Sequence, residues 1–199
     1  MVVRSFVAFS FALLSASPSF AQTWTIDSNH SNASFAVRHM MVSTVRGEFG
    51  KLSGTVEFDD KDVAKTAIQA TIDAASVNTR VADRDTHLKS ADFFDVDRYP
   101  AITFRSTRVQ SSADGLQIVG DLTIHGVTKE ITLKVDGPTP VLKDGRGNLK
   151  RGATGTTTID RREFGLVWNR AVEAGGVLVG DDVQITIDVE LTRKVESSH

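Results

Sequence analysis

The chain has no cysteine among its 199 residues. That absence excludes disulfide bridges, cysteine-based zinc sets and a lipid-modified N-terminal cysteine, so stability has to come from burial and backbone pairing alone. A basic block is missing as well. The 23 Lys and Arg are interspersed with 25 Asp and Glu for a formal charge of −2, which leaves no electrostatic footprint for nucleic acid. There is no G-x-S-x-G elbow, and no serine stands in a local sequence that suggests activation. Gly175-Gly176 and the pair Gly145 and Gly147 lie outside any strand-loop-helix phosphate unit and read as turns. The carboxylates are too scattered to nominate a general acid and base. The expectation is a protein that is not an enzyme, with no cofactor and no resident metal.

The histidines are His30, His39, His87, His125 and His199, and no two stand at the three- or four-residue spacing of a helical metal pair. The nearest approach to a metal motif is Asp83-Arg84-Asp85-Thr86-His87. On a strand Asp83, Asp85 and His87 project from one face, and on a helix Asp83 and His87 are neighbours. Arg84 and Lys89 offer local ion-pair partners, so helix capping and surface charge pairing is the preferred reading. A metal-dependent hydrolase built on Asp83, Asp85 and His87 is the enzyme alternative.

One apolar run stands apart, MVVRSFVAFSFALLSASPSFA at residues 1–21. Arg4 supplies a positive start, Val7 to Leu14 an apolar centre, and Ser19-Phe20-Ala21 a small-x-small cleavage site. The apolar centre, Val7 to Leu14, is shorter than the roughly 20 residues of a membrane span. These parts predict a signal peptide cleaved after Ala21, with residues 22–199 forming one exported domain and no membrane span.

Most of the remainder reads as strands separated by Gly, Asp and Asn punctuation. Period-2 or β-branched runs occur near 24–27, 33–38, 45–58, 67–73, 101–109, 116–124, 127–136, 152–160 and 182–193. Within 45–58 the apolar phase changes, since Val45, Gly47 and Phe49 share one parity and Leu52, Val56 and Phe58 the other. A bulge or bend near Gly50-Lys51 is expected there. The helical candidate is 81–91, VADRDTHLKSA, short enough to depend on packing. About eight antiparallel strands and one short helix make an all-β sandwich or a closed up-and-down barrel.

The stretch GDLTIHGVTKEITLKV at 120–135 is a hairpin with one apolar face, made by Leu122, Ile124, Val127, Ile131, Leu133 and Val135. A closed eight-stranded barrel is either filled by such side chains or holds one small ligand among them. Phe35, Phe49, Phe58, Phe104, Phe164 and Trp168 suit a barrel interior or its mouth in either case. Phe93 and Phe94 are consecutive, so on a strand they would face opposite ways. Periodicity leaves the choice between a filled core and a hollow one open.

Several stretches together resemble the YceI-like, polyisoprenoid-binding family. They are Phe35-Ala36-Val37-Arg38-His39-Met40, Val45-Arg46-Gly47-Glu48-Phe49, Asp85-Thr86-His87-Leu88-Lys89-Ser90-Ala91-Asp92-Phe93-Phe94-Asp95 and Tyr99-Pro100-Ala101-Ile102-Thr103-Phe104. Gly120-Asp121-Leu122-Thr123-Ile124-His125-Gly126-Val127-Thr128-Lys129, Arg162-x-Phe164-Gly165-Leu166 and Val179-Gly180-Asp181-Asp182-Val183 extend the likeness to about Leu191. The G-x-W start of true lipocalins is absent; Thr23-Trp24 stands there instead.

The resemblance implies an extended, eight-stranded antiparallel, lipocalin-like barrel, exported to the periplasm, that carries a long isoprenoid chain of quinone or polyprenyl type or a similar amphiphile. On that reading Phe35, Val37, Phe49, Phe104, Leu122, Ile124, Leu133 and Trp168 line the interior, and Arg38, His39, Arg84 and His87 are the head-group candidates at the rim. The competing reading is a structural or stress-related barrel with a filled core, acting through contacts with another protein. A homodimer is compatible with either.

Overall fold

The computed structural model describes residues 22–59, 61–171 and 177–195. The expected signal peptide, Gly175-Gly176 and His199 lie outside the described residues. Alternation of apolar and polar side chains yields eight antiparallel barrel strands, three of them interrupted. β1 comprises Gln22–Ile26 and Asn32–His39, β2 comprises Ser43–Phe49 and Leu52–Phe58, and β3 comprises Ala67–Asp73 and Val77–Asn78. β4 (Ala101–Ser112), β5 (Gly115–Ile124), β6 (Val127–Asp136), β7 (Leu149–Asp160) and β8 (Val179–Arg193) are each a single run. Helix α1, Ala82–Lys89, connects β3 to β4 and replaces the expected 81–91 span with a slightly shorter one.

Each strand pairs with the next, and β8 returns to β1 through Ile26↔Leu191 and Ala33↔Ile187. The sheet is therefore a closed eight-stranded antiparallel barrel in up-and-down order. The seam between β6 and β7 is the shortest ladder, limited to Asp136↔Thr154, Val135↔Gly155 and Lys134↔Thr156. Beside it, Phe164 and Leu166 join Ile124, Ile131 and Ile159 in one apolar cluster. Side-chain packing holds the wall where backbone pairing stops.

The parity change within 45–58 proves to be a break at Gly50-Lys51, not a bulge within one run. Both segments of β2 still pair with β1, Phe49 opposite Ala33 and Thr55 opposite Thr25. The break lets Phe49 and Leu52, three residues apart, both point inward, as their burial shows. β1 is interrupted at 27–31 and β3 at 74–76, so three adjacent strands are interrupted and the wall bends there.

A charge cluster secures that bend from outside. Lys150 on β7 donates to Asp27 Oδ2 (2.9 Å) and to Glu190 Oε1 on β8 (2.8 Å), and His30 Nδ1 lies 3.1 Å from Asp27 Oδ2. The Lys150 and His30 hydrogen bonds hold the Asp27 carboxyl down at about 2.

One end of the barrel is closed. Trp24 is completely buried and packs with Ile26, Leu52, Val56, Phe58 and Leu191. The Arg151 guanidinium lies 4.4 Å from the Phe58 ring centre and 5.5 Å from that of Trp24, and Arg193 lies 5.1 Å from the Trp24 ring. Cations over aromatic faces let charged groups close an apolar floor at modest desolvation cost. At the opposite end lie the β1–β2 hairpin, α1, the β5–β6 turn and residues 161–171.

Two outcomes test this architecture. Trp24→Ala is expected to destabilise the protein by about 3–5 kcal/mol, read as a lower urea midpoint at unchanged slope. The Asp27 pKa is lowered on folding from an unfolded value near ~3.9, so its contribution is present above about pH 4 and is lost as pH falls toward 2. Lys150→Met is expected to flatten stability against pH across that window.

Candidate functional site

The inward faces enclose a void of about 260 Å³. Its lining is almost wholly apolar and reaches from the floor residues Leu52, Val56 and Leu191 to Phe93 and Phe94 at the other end. A water molecule's share of liquid volume is about 30 Å³, so the void corresponds to on the order of ten water-sized or methylene-sized positions. Engineered apolar cavities of smaller volume stay dry and accept apolar guests.

Seven of the eight predicted interior residues meet in this wall: Phe35, Val37, Phe49, Phe104, Leu122, Ile124 and Leu133. Trp168 is a correction. Its ring sits outside the cavity wall, 4.7 Å from the His87 ring and 5.3 Å from Phe93. It stands beyond the end of β7 and two residues past Leu166, the last residue of this segment in the cavity wall.

Two glycines keep the lumen open. A Cβ at Gly47 would lie 2.4 Å from Phe35 Cζ, and one at Gly120 would lie 2.6 Å from Phe104 Cζ. Each ring therefore lies against the neighbouring strand rather than across the barrel. Phe93 and Phe94 share no strand; they follow α1 in a turn. Phe94 packs on Phe49 at 5.5 Å, and Phe93 packs on His87 at 5.0 Å.

The four head-group candidates stand around this end, and none belongs to the cavity lining. Arg38 is exposed and donates to Thr44 Oγ1 (3.1 Å) and to the Met41 carbonyl (2.7 Å). His39 pairs with Ser43 at the hairpin base. Arg84 donates to Thr79 Oγ1 (2.7 Å) and the Thr79 carbonyl (2.9 Å), while Asp85 accepts from the Thr79 N–H and hydroxyl. His87 Nε2 lies 2.9 Å from Asp92 Oδ2, with its ring between Phe93 and Trp168. Asp85 and His87 are thus each engaged locally, and the two do not converge with Asp83 among the described metal-capable groups.

The group that does converge is Asp27, His30 and Glu190, and there the Lys150 ammonium already bridges the two carboxylates. A resident cation from the protein itself occupies the position.

Sequence reasoning missed Arg161. It lines the cavity yet is buried, and every guanidinium N–H is used. Nε donates to Gly180 O, Nη1 to Leu166 O and Trp168 O, and Nη2 to Val179 O and Asp181 Oδ1. Burial pulls its pKa below the ordinary value, and Asp181 and Asp160 oppose that pull. Arg161 clasps the 166–168 segment to the start of β8 and leaves no donor for a guest. The adjacent Arg162 pairs with Asp160 and Asp181, so an Arg-Arg pair at a strand end hides one structural cation and one surface cation.

Comparison with known proteins matches residues 24–191 to the YceI-like domain family. A UPF0312 protein of Staphylococcus aureus is 38% identical over 169 residues, covering 85% of this chain and 96% of its own. The crystal structure of Burkholderia cenocepacia BcnA aligns with a TM-score of 0.69 at 28% identity, covering 83% of this chain and 98% of that one. A polyisoprenoid binding domain from Saccharophagus degradans aligns with a TM-score of 0.59 at 16% identity, a likeness of fold, over 86% of this chain and 98% of that one.

Arg161→Met tests the clasp. It keeps the side-chain volume but strands four carbonyls and Asp181, with an expected loss of about 3–5 kcal/mol. Faster amide exchange confined to 166–168 and 179–181, before global unfolding, is the accompanying signature.

Proposed function

The chain belongs to the YceI-like domain family, and from that membership and the hollow interior we propose that it is a lipid-binding protein without catalysis. It holds the apolar chain of an isoprenoid, of quinone or polyprenyl type, inside the barrel. The observation that carries the reading is the void itself: a barrel whose core is filled by its own side chains leaves no such space. Each methylene moved from water into it gains roughly 0.8 kcal/mol, so a chain ligand is held without a dedicated polar contact. On the order of ten positions correspond to about two five-carbon units, so a longer prenyl tail would extend past the barrel end or widen the barrel. The isoprenoid class enters from the family resemblance, and a polyisoprenoid binding domain shares the fold. The expected signal peptide at 1–21 supports a periplasmic location for the carrier.

The polar groups at the end opposite Trp24 fit an amphiphile held tail-first. His87, beside Asp92 and half-exposed between Phe93 and Trp168, is the candidate that stands nearest the aromatic residues of the mouth. Arg38 faces outward, and Arg84 is committed to Thr79.

The test is mass spectrometry of an organic extract of the protein, purified without detergent and set against a mock purification. A stoichiometric prenyl lipid is expected. An empty extract, persisting after incubation with ubiquinones and polyprenyl phosphates, would overturn the carrier reading. Leu133→Arg places a cation in the lumen and is expected to abolish lipid retention in a variant that still shows the β-sheet spectrum; full retention there would exclude this cavity as the site.

A further inference from the structure

The end of the barrel opposite Trp24 carries a ledge of exposed apolar side chains. Met40 is 44% exposed, Met41 64% and Val42 81% at the β1–β2 hairpin tip, and Val167 is 66% exposed and Val177 37% beside them. Hydrogen bonds join these segments. Met40 N–H donates to the Leu178 carbonyl (2.9 Å), Leu178 N–H donates to the Arg170 carbonyl (2.9 Å), and Ala171 pairs with Val177. The apolar tip and the 167–171 segment are therefore parts of one surface.

The hairpin tip is built against backbone preference. Val42 N–H donates to the His39 carbonyl (3.0 Å), and both central residues, Met40 and Met41, have positive φ, 50° and 59°. Asn-Gly or Asp-Gly normally occupies such a turn. Two exposed methionines at positions suited to small polar residues point to a use for the thioether side chains themselves.

Two arginines, Arg38 and Arg170, belong to the segments that carry the ledge. Arg38 is fixed against the tip by its bonds to Thr44 and the Met41 carbonyl, and neither Arg38 nor Arg170 makes an ion pair among the described residues. The nearby carboxylate of Asp181 is already engaged by Arg161 and Arg162. Protruding apolar side chains accompanied by arginines that make no ion pair among the described residues complement a surface that is apolar beneath an anionic layer.

We propose that this rim docks on a lipid bilayer containing anionic lipid, with Met40, Met41 and Val42 entering the acyl boundary and Arg38 and Arg170 against the phosphates. Docking would set this end of the barrel on the membrane, so an apolar guest entering or leaving by it passes between bilayer and barrel without crossing water. The purpose of the surface rests on the carrier reading, while its test does not.

The test is flotation of the purified protein with vesicles of phosphatidylcholine alone and of phosphatidylcholine mixed with phosphatidylglycerol. Binding is expected to the mixed vesicles and to weaken with added salt. The double variant Met41→Asp, Val42→Asp is expected to lower it at least about tenfold. Asp tolerates positive φ better than Met, and both positions are exposed, so the fold is retained. Arg38→Gln is expected to weaken flotation on the mixed vesicles specifically. Failure of the unaltered protein to float with either vesicle, or undiminished flotation of the double variant, would overturn the proposal. So would a dimer in sedimentation velocity that the double variant dissociates, because the ledge would then belong to a second copy. Extracted prenyl lipid is measured on the same proteins. Its absence from both with flotation intact faults the carrier reading alone, and lost flotation with lipid retained in the unaltered protein faults the docking alone.

Discussion

A closed barrel whose inward face is apolar must be stoppered at one end, because water would otherwise enter and remove the reason for the face to exist. Trp24 performs that task. It is buried between Phe58, Leu52 and Leu191 on one side and the guanidinium groups of Arg151 and Arg193 on the other. Its indole N–H has no acceptor within reach among the described residues. A buried unsatisfied donor costs on the order of 1–3 kcal/mol, so the closure is worth more to the fold than that hydrogen bond. Everything above the floor, including the void, depends on this dry base.

Charge is handled differently at the two ends. At the floor, Arg151 and Arg193 lie over aromatic faces and use the rings as weak anionic partners. Toward the mouth, Arg161 meets carbonyls and a carboxylate, with all five donors committed. Both solutions hold arginine against apolar surroundings, and neither leaves a positive group reaching into the lumen. The interior thereby stays suited to an uncharged guest, with ionic groups confined to the rim. On the outside, Lys150 closes the bend in β1 by the same logic, placing one ammonium between two carboxylates.

The β segments were legible because period-2 alternation survives in a barrel: inward and outward neighbours differ in polarity along every strand. For the same reason Phe35, Val37, Phe49, Phe104, Leu122, Ile124 and Leu133 could be assigned to one inward face. Trp168 escaped the rule, since a period-2 argument holds only within a strand and this residue follows a 3-10 turn. Phe93 and Phe94 escaped for the same reason. In the 45–58 run the parity change was visible, whereas its meaning depended on β1 and β3 breaking alongside β2. Arg161 was illegible because its five partners lie on segments up to 20 residues away in sequence, brought together only by the return of β8.

By itself the sequence determined the strands, their inward faces, the family and the absence of disulfides, all of which follow from local alternation and residue chemistry. Whether the inward faces would meet each other or leave room between them was decided by tertiary structure. Interior volume is the difference between the cross-section of the closed sheet and the summed side chains, and it turns on details such as Phe35 lying against Gly47 and Phe104 against Gly120. The same distinction holds for the rim: Met40, Met41 and Val42 are ordinary apolar residues in the sequence, and only the hairpin's place at the end of the barrel makes them an exposed surface.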